Sequence, residues 1–375
     1  MRTKLYSKVC IINCFDTYEH RADLLHEYFK KHGAQVSIYT SDFRHIDKCQ
    51  RHDYRVGYTY FHAIPYYKNI SIVRLFSHII LAKNIFNEIK RQNYDLIWVM
   101  LPPNSLAQEA AKYKKNHMKV KMVYDLLDLW PETMPISKMK TLPPFLIWKN
   151  LRDNNLDMAD AIVTECNLYH RKLPERIQNK IYTVYLARKI KKFHPRIELP
   201  ENKIALCYLG SINNIIDICG IVVLINKIKK CKPVELHIIG DGEKRDELIM
   251  SCKKVGADVI FHGKIFQNEK KQDIFNKCHY GLNYMKNTVV VGLTMKSMDY
   301  FEAGLPIINN IHGDTWDIIA NNKLGFNSDN LSSIIDYDIS LRKNVRNYFE
   351  DNFSVDAFER NIDNTLKAVY KNMLL

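Results

Sequence analysis

The sequence predicts an α/β protein built from two Rossmann-like domains that face each other across a cleft. Three observations predict this. Short apolar runs rich in β-branched residues alternate with segments of helical spacing along the whole chain, the pattern of βαβ units and parallel sheets. The pattern closes near Leu186 and restarts at Ile204, after the charged, proline-ended stretch Lys189-Ile-Lys-Lys-Phe-His-Pro195, which reads as an interdomain linker. A chain of 375 residues that is 46% hydrophobic can supply two cores of ordinary size.

In the first half, Lys8–Cys14 reads as a buried parallel strand. Glu19–His32 has helical spacing (Ala22, Leu25, Phe29), and Gly33 follows as its stop. Further strands are expected at Gln35–Thr40, Asp95–Met100, Lys119–Asp125, Ala161–Cys166 and Ile181–Leu186. Helices are expected at Ile70–Lys90, Asn104–Lys115 and Lys149–Met158, and Tyr54–Tyr66 is an aromatic, β-rich stretch. In the second half, strands are expected at Ile204–Leu209, Glu235–Gly240, Val259–Gly263, Tyr280–Tyr284 and Pro306–Asn309. Helices fall near 215–230, 243–254, 269–277, 294–303 and 314–320, and the chain is helical from about Ser340 onward.

Lysine and arginine number 55 against 41 acids, a net charge of +14. Such a balance implies an anionic partner. No dense basic run and no zinc-finger, RNP or helix-turn-helix pattern points to nucleic acid, so a membrane face or phosphorylated substrates are expected instead. The nine cysteines form no C-x-x-C pair and read as reduced thiols. The start leads directly into a strand, with no signal peptide. The most apolar helix, Ile70–Ile89, is interrupted by Arg74, His78 and Lys83 and does not read as a membrane span. A cytoplasmic protein is expected, peripheral on the inner face of the plasma membrane. Aromatic and basic residues side by side support the peripheral placement: Tyr58 to Lys68 with Arg74, Lys83 and Lys90, and Lys138 to Arg152.

Two segments carry most of the functional information: Tyr124-Asp-Leu-Leu-Asp-Leu-Trp-Pro-Glu132, and Val289-Val-Val-Gly-Leu-Thr-Met-Lys-Ser-Met-Asp-Tyr-Phe-Glu-Ala-Gly-Leu-Pro306. Each follows an expected strand, so each belongs at the carboxyl edge of a parallel sheet, where ligands bind in open α/β folds. Asp128-Leu-Trp-Pro-Glu132, Phe193-His-Pro195, Leu209-Gly-Ser-Ile212, Leu236-His-Ile-Ile-Gly-Asp-Gly-Glu243 with Val259-Ile-Phe-His-Gly263, and the Gly292–Pro306 segment stand in this order along the chain. The ordered set resembles the GT-B fold nucleotide-sugar glycosyltransferases of the family 4 type, which assemble bacterial capsules, exopolysaccharides and O-antigens. The chain departs from the family's pattern at Val291 and Asp299, where a glutamate pair is usual. It also departs in the loop Gly210-Ser-Ile-Asn-Asn-Ile-Ile-Asp217, which lacks the usual Arg and Lys.

The resemblance implies an acceptor-binding domain over residues 1–192, a donor-binding domain over 193–355 and a C-terminal helix, 356–375, that packs on the first domain. It implies transfer of a sugar, with retention, from a nucleotide-sugar donor (UDP-sugar favoured) to a lipid-linked or growing polysaccharide acceptor. No cofactor and no obligatory metal is implied, since the nucleotide sugar is a substrate. Lys296, near a helix start, can supply charge to a diphosphate, together with free N–H groups at that helix terminus. Asp299, three residues on and on the same helical face, can accept from ribose hydroxyls. Gly210, Ser211, Gly240 and Gly242 let backbone approach the nucleotide, Lys264 and Ile265 are placed against the base, and Lys264 or Arg188 stands in for the missing cations. In the first half, Asp16, Glu19 and Arg21 are expected at the acceptor, with Asp128, Glu132 or His20 as base or positioning group. Two rivals stay open: a GT-B nucleotide-sugar epimerase, which needs no acceptor, and a degenerate, non-catalytic transferase acting as a membrane-associated assembly partner.

Overall fold

The computed structural model describes residues 6–134, 141–191 and 196–371. The Phe193-His-Pro195 segment, Lys138 and Lys140 lie outside the described residues. The chain divides into two compact units: one runs to Ala187 and takes in the chain from Phe358 onward, and the other is Arg188–Ala357.

The first unit contains β1 (Lys8–Asn13), α1 (Glu19–Lys31), β2 (Gln35–Ser41), the hairpin β3 (Phe43–Arg44) and β4 (Cys49–Gln50), β5 (Tyr58–Phe61), α2 (Ile72–Ile89) and β6 (Leu96–Leu101). It continues with α3 (Ser105–Asn116), β7 (Lys121–Leu126), α4 (Pro143–Asp153), β8 (Ala161–Thr164) and β9 (Ile181–Thr183). Seven parallel strands form one sheet in the order β5-β2-β1-β6-β7-β8-β9. The order reverses between β1 and β6, which places a crevice at their carboxyl ends. Strand β6 is buried along its whole length, Leu-Ile-Trp-Val-Met-Leu, as a central parallel strand with both faces covered must be. Helix α2 buries Arg74, His78, Leu81, Ile85 and Ile89 at helical spacing. Its Ser71 cap accepts from the Arg74 amide at 3.2 Å.

The second unit contains β10 (Ile204–Leu209), α5 (Ile218–Lys229), β11 (Val234–Ile239), α6 (Arg245–Lys254), β12 (Asp258–Gly263), α7 (Asn268–Phe275) and β13 (Tyr280–Asn283). It ends with α8 (Met295–Glu302), β14 (Ile307–Asn309), α9 (Asp314–Asn322), β15 (Gly325–Asn327) and α10 (Ser340–Phe353). Its six parallel strands follow the order β12-β11-β10-β13-β14-β15, with the switch point between β10 and β13. The last helix, α11 (Val355–Val369), returns the chain to the first unit: Glu359 pairs with Lys31 at 2.7 Å, and Asp363 accepts from Tyr28.

Both halves are therefore Rossmann-like, as the alternation of runs predicted. Three elements differ from expectation. Helix α4 starts at Pro143, six residues before the expected Lys149, because Pro143 and Pro144 occupy first-turn positions where a missing N–H costs nothing. Strand β9 is cut to Ile181–Thr183. Strand β15 pairs in register with β14, although Gly-Phe-Asn has too little apolar length to announce a strand.

Candidate functional site

In the second unit the site is built on the loops that leave β10, β11 and β12, and these are laced together by backbone bonds. Gly210 N–H donates to Ile239 O at 2.9 Å, Ile212 N–H to Asp241 O at 3.0 Å and Gly240 N–H to Gly263 O at 2.8 Å. Gly240, at φ +142°, is required for this approach: a Cβ there would stand 1.9 Å from Gly210 O. Over Gly210 lies Lys296. A Cβ on Gly210 would meet its Cε at 3.6 Å and its Nζ at 3.9 Å.

Lys296 is buried, with Nζ 4.4 Å from the centroid of the Tyr208 ring and 3.4 Å from its hydroxyl. Among the described residues no carboxylate pairs with it, and burial pulls its pKa down to about 8. Helix α8 begins beside it. Thr294 caps the helix by accepting from the Ser297 amide at 3.1 Å. The cap is held from below by buried asparagines at the carboxyl ends of three neighbouring strands. Thr294 Oγ1 donates to Asn283 Oδ1 (3.2 Å), Asn283 Nδ2 donates to Ser297 Oγ (3.1 Å) and Asn309 Oδ1 (2.9 Å), and Asn309 Nδ2 donates to Asn327 Oδ1 (3.0 Å). The three asparagines are register partners. This ladder fixes the helix terminus at the switch point, with Lys296 in its first turn.

Lys296 and Asp299 do not act as a pair. Asp299 turns to Arg188 Nη1 at 2.7 Å and to Lys271 Nζ at 3.4 Å. Arg188 Nη1 also holds Glu302 at 2.7 Å. Arg188, expected as a replacement cation for the diphosphate, is thus occupied by two carboxylates of α8. Asp299 and Glu302 line a cavity of about 620 Å³ with Lys191, Lys271, Lys277 and Arg346, and Lys296 is not in its wall. Gly242, at φ +157°, packs against Ile212 O and serves the same loop contact as Gly240. Ser211 O accepts from Tyr208 OH at 3.0 Å. Lys264 is exposed and Ile265 half-buried beside them.

In the first unit the expected residues separate into site and scaffold. Arg21, expected at the acceptor, is an interior residue. Its Nε and Nη2 fork onto Asp125 at 2.8 and 3.0 Å, and its Nη1 donates to Val184 O at 2.9 Å. Trp98 Nε1 adds a further bond to Asp125 at 2.9 Å, and both charged partners are sealed from solvent. Glu132, expected as a base, is clamped by Arg152 at 2.8 and 3.2 Å and by Lys149 at 3.4 Å. Burial raises its pKa, but the Arg152 charge outweighs this and holds the carboxyl below its ordinary range. Asp128 accepts from Trp130 Nε1 at 2.6 Å and from Thr133 Oγ1. Burial raises its pKa despite those bonds. Glu19 pairs with Arg51 and, at 3.6 Å, with Arg55. Asp16 Oδ1 accepts from the His45 amide at 3.0 Å. His20 is exposed, and its Nε2 lies 2.9 Å from Ala187 O. A carbonyl only accepts, so Nε2 is the donor in that bond.

Glu165, at the end of β8, was not singled out from sequence. It accepts from Tyr169 OH at 3.4 Å. Burial, then the Asp128 charge, lifts its pKa to about 8, so the carboxyl is mostly protonated at neutral pH.

Two Rossmann-like sheets, each with its own switch point, are the parts of a GT-B fold, and solved structures of similar fold agree. The apo form of the lipopolysaccharide outer core galactosyltransferase WaaB matches with TM-score 0.63 at 13% identity, covering 96% of this chain and 99% of that one. Anabaena HepE, in a complex with UDP and glucose, matches with TM-score 0.61 at 13% identity, covering 96% and 100%. A glycosyltransferase from Rickettsia africae matches with TM-score 0.61 at 13% identity, covering 98% and 99%. Residues 203–337 match the family model described as glycosyl transferases group 1. That span holds the whole Lys296 site. A search of curated protein sequences finds no match. The match of residues 203–337 to that model, with the GT-B-like fold, supports a sugar transferase. Among the described residues, no helix is long and apolar enough to cross a membrane.

Proposed function

We propose that the chain is a retaining glycosyltransferase of the family 4 type. It moves a sugar from a nucleotide-sugar donor, UDP-sugar favoured, to a lipid-linked or growing polysaccharide acceptor. The observation that carries this reading is Lys296: a buried cation paired with no described carboxylate, in the first turn of a capped helix, over a glycine loop, inside the group 1 match. A diphosphate there meets a cation, helix N–H groups and the Ser211 amide, the expected Gly210 amide being held by Ile239 O. Lys264 and Ile265 meet the base, and Asp299, pinned by Arg188 and Lys271, accepts from ribose. HepE, a neighbour in fold, binds UDP and glucose, which is in keeping with this donor.

On the acceptor side exposed His20 is the candidate to hold the acceptor hydroxyl in place, while Asp128 and Glu132 are engaged. The leaving phosphate takes the acceptor proton, and the protein groups position and stabilise charge. The lipid-linked acceptor and an anionic membrane surface are supported by one face of α2, where Ile72, Val73 and Phe76 are all more than half exposed. Lys68 and Lys83 are exposed near it.

Thermal-shift binding against a panel of nucleoside diphosphates and nucleotide sugars tests the donor site. A shift for one base, lost in Lys296→Ala, is expected. No shift with any member sinks the donor assignment and favours a non-catalytic partner. Sugar-nucleotide conversion without acceptor favours the epimerase.

A further inference from the structure

Helix α2 carries a second cation that the donor reading leaves unused. Arg74 is 2% exposed, and its Nη1 donates to Asn69 O. Among the described residues its Nε and Nη2 make no hydrogen bond of ordinary geometry, although the Tyr66 hydroxyl is near enough to act on its charge, and no described carboxylate pairs with it. Those two nitrogens are the side-on fork that matches a carboxylate or phosphate. Arg21 shows the completed form in the same unit: Nη1 on a backbone carbonyl, and Nε with Nη2 on Asp125. Arg74 repeats that arrangement without the acid. It also sits in the first turn of a helix, where the dipole favours an anion over a cation.

Its surroundings are aromatic and positive. The guanidinium lies 4.1 Å from the Trp130 ring centroid, 5.5 Å from Trp148 and 5.7 Å from Tyr66. Lys48 reaches the same Tyr66 ring at 5.2 Å. Its ammonium is pulled down by burial and then by Arg74, so the two cations feel each other. The acids that act on them are already engaged: Asp16 by the His45 amide, and Asp128 by Trp130 and Thr133. His45 and His78, which bond Tyr66 OH at 2.7 and 3.4 Å, are held neutral by burial and by this field. Lys48 also occupies a left-handed position, φ +55°, in the β3–β4 hairpin. Glycine or asparagine is the usual choice there, so a lysine costs backbone energy for its side chain.

We propose that Arg74 and Lys48 form an anion subsite at the carboxyl edge of the first sheet, and that it takes a phosphate group of the ligand bound by this unit. The pair of cations matches a dianion, and the fork matches two of its oxygens. That the ligand is a sugar acceptor rests on the proposed transferase reading; the anion subsite does not. The Trp130 ring covers the fork, so a seated phosphate moves the indole and changes its fluorescence.

The test titrates the full chain with inorganic pyrophosphate and with farnesyl diphosphate, reading tryptophan fluorescence, with Trp130→Phe as the control that removes the signal. Wild type and Lys296→Ala are expected to saturate alike. Lys48→Gly is expected to bind at least tenfold more weakly while melting no lower than wild type, since glycine suits its φ. Arg74→Lys, which keeps the charge and loses the fork, is expected to lose saturation. Tighter binding of farnesyl diphosphate assigns the phosphate to a lipid carrier, and equal binding assigns it to a soluble phosphate. Titrations unchanged in both Lys48→Gly and Arg74→Lys, or no saturable signal with either probe, overturn the subsite. Loss of the nucleotide shift alone, with these titrations intact, overturns the donor reading and not this one.

Discussion

On the proposed donor reading, the burial of Lys296 makes nucleotide binding depend on pH. Burial lowers its pKa from the ordinary 10.5 to about 8. In free energy this is about 3 kcal/mol against the charged form. Below pH 8 the amine is charged in the folded and unfolded chains alike, and the folded chain bears the full cost. Between pH 8 and 10.5 the unfolded chain binds more protons, so this group makes stability rise with pH. A bound diphosphate reverses the preference, because it stabilises the ammonium. At pH 7 about nine-tenths of the free protein carries the charge, and at pH 9 about one-tenth, so the nucleoside diphosphate Kd should weaken roughly tenfold between them. Isothermal titration calorimetry in buffers of different ionisation enthalpy should show proton uptake above pH 8. Lys296→Arg stays charged throughout and should bind without the step. Lys296→Met should abolish binding. It should also stabilise the protein at pH 7 by about 1 kcal/mol, the desolvation relief less about 2 kcal/mol for the lost Tyr208 contact. An equal pH slope in wild type and Lys296→Arg would refute the argument.

Arg21→Met leaves Asp125 buried and uncompensated, and should cost about 3–5 kcal/mol in urea unfolding, while Arg21→Met with Asp125→Leu should recover most of that. Glu165 binds its proton more tightly folded than unfolded, so its contribution to stability is present at low pH and lost as pH rises from 4.5 through about 8. Melting curves of Glu165→Gln should therefore fall less than wild type across pH 6 to 8. Asn309→Leu breaks the ladder under α8 and should cost about 1–3 kcal/mol by chemical denaturation, with weaker nucleotide binding because Asn283 and Thr294 lose their anchor.

The fold was legible because buried parallel strands are continuous apolar runs. Ile204–Leu209 can be read off the sequence residue for residue, and so can the turn glycines behind it. Helix α8 was legible from its cap, Thr294, and from Lys296 two residues on. Charged residues were not legible in the same way. Arg21 looks like a surface group in a polar loop, and the acid that buries it is 104 residues away. Lys296 and Asp299 share a helical face by spacing alone. Which neighbour each one meets is decided by Gly210 on one side and by Arg188 on the other, through contacts distant in sequence. Three asparagines that each end a strand were a signal available in the sequence, but it becomes visible only once the register of β13, β14 and β15 is known.

The Asp128-Leu-Trp-Pro-Glu132 segment shows how a conspicuous acidic cluster can serve geometry before chemistry. Asp128 accepts from the indole N–H of Trp130. Glu132 clamps Arg152, whose Nη1 in turn donates to the carbonyl of Trp130 at 3.0 Å. Asn104, on the loop after β6, donates to that same carbonyl and to the carbonyl of Trp148, at 3.0 and 2.9 Å. Each polar group in the cluster thus acts on one residue, fixing both ends of Trp130. The ring so held lies against Phe15 at 5.5 Å and over Arg74 at 4.1 Å. Asp128 is therefore a positioning group, and its loss should loosen the indole over the anion subsite before it changes any proton transfer. Asp128→Asn, which can still accept from the indole, should keep pyrophosphate binding near wild type, whereas Asp128→Ala should weaken it. Equal behaviour of the two substitutions in the fluorescence titration would return Asp128 to the list of acid–base candidates.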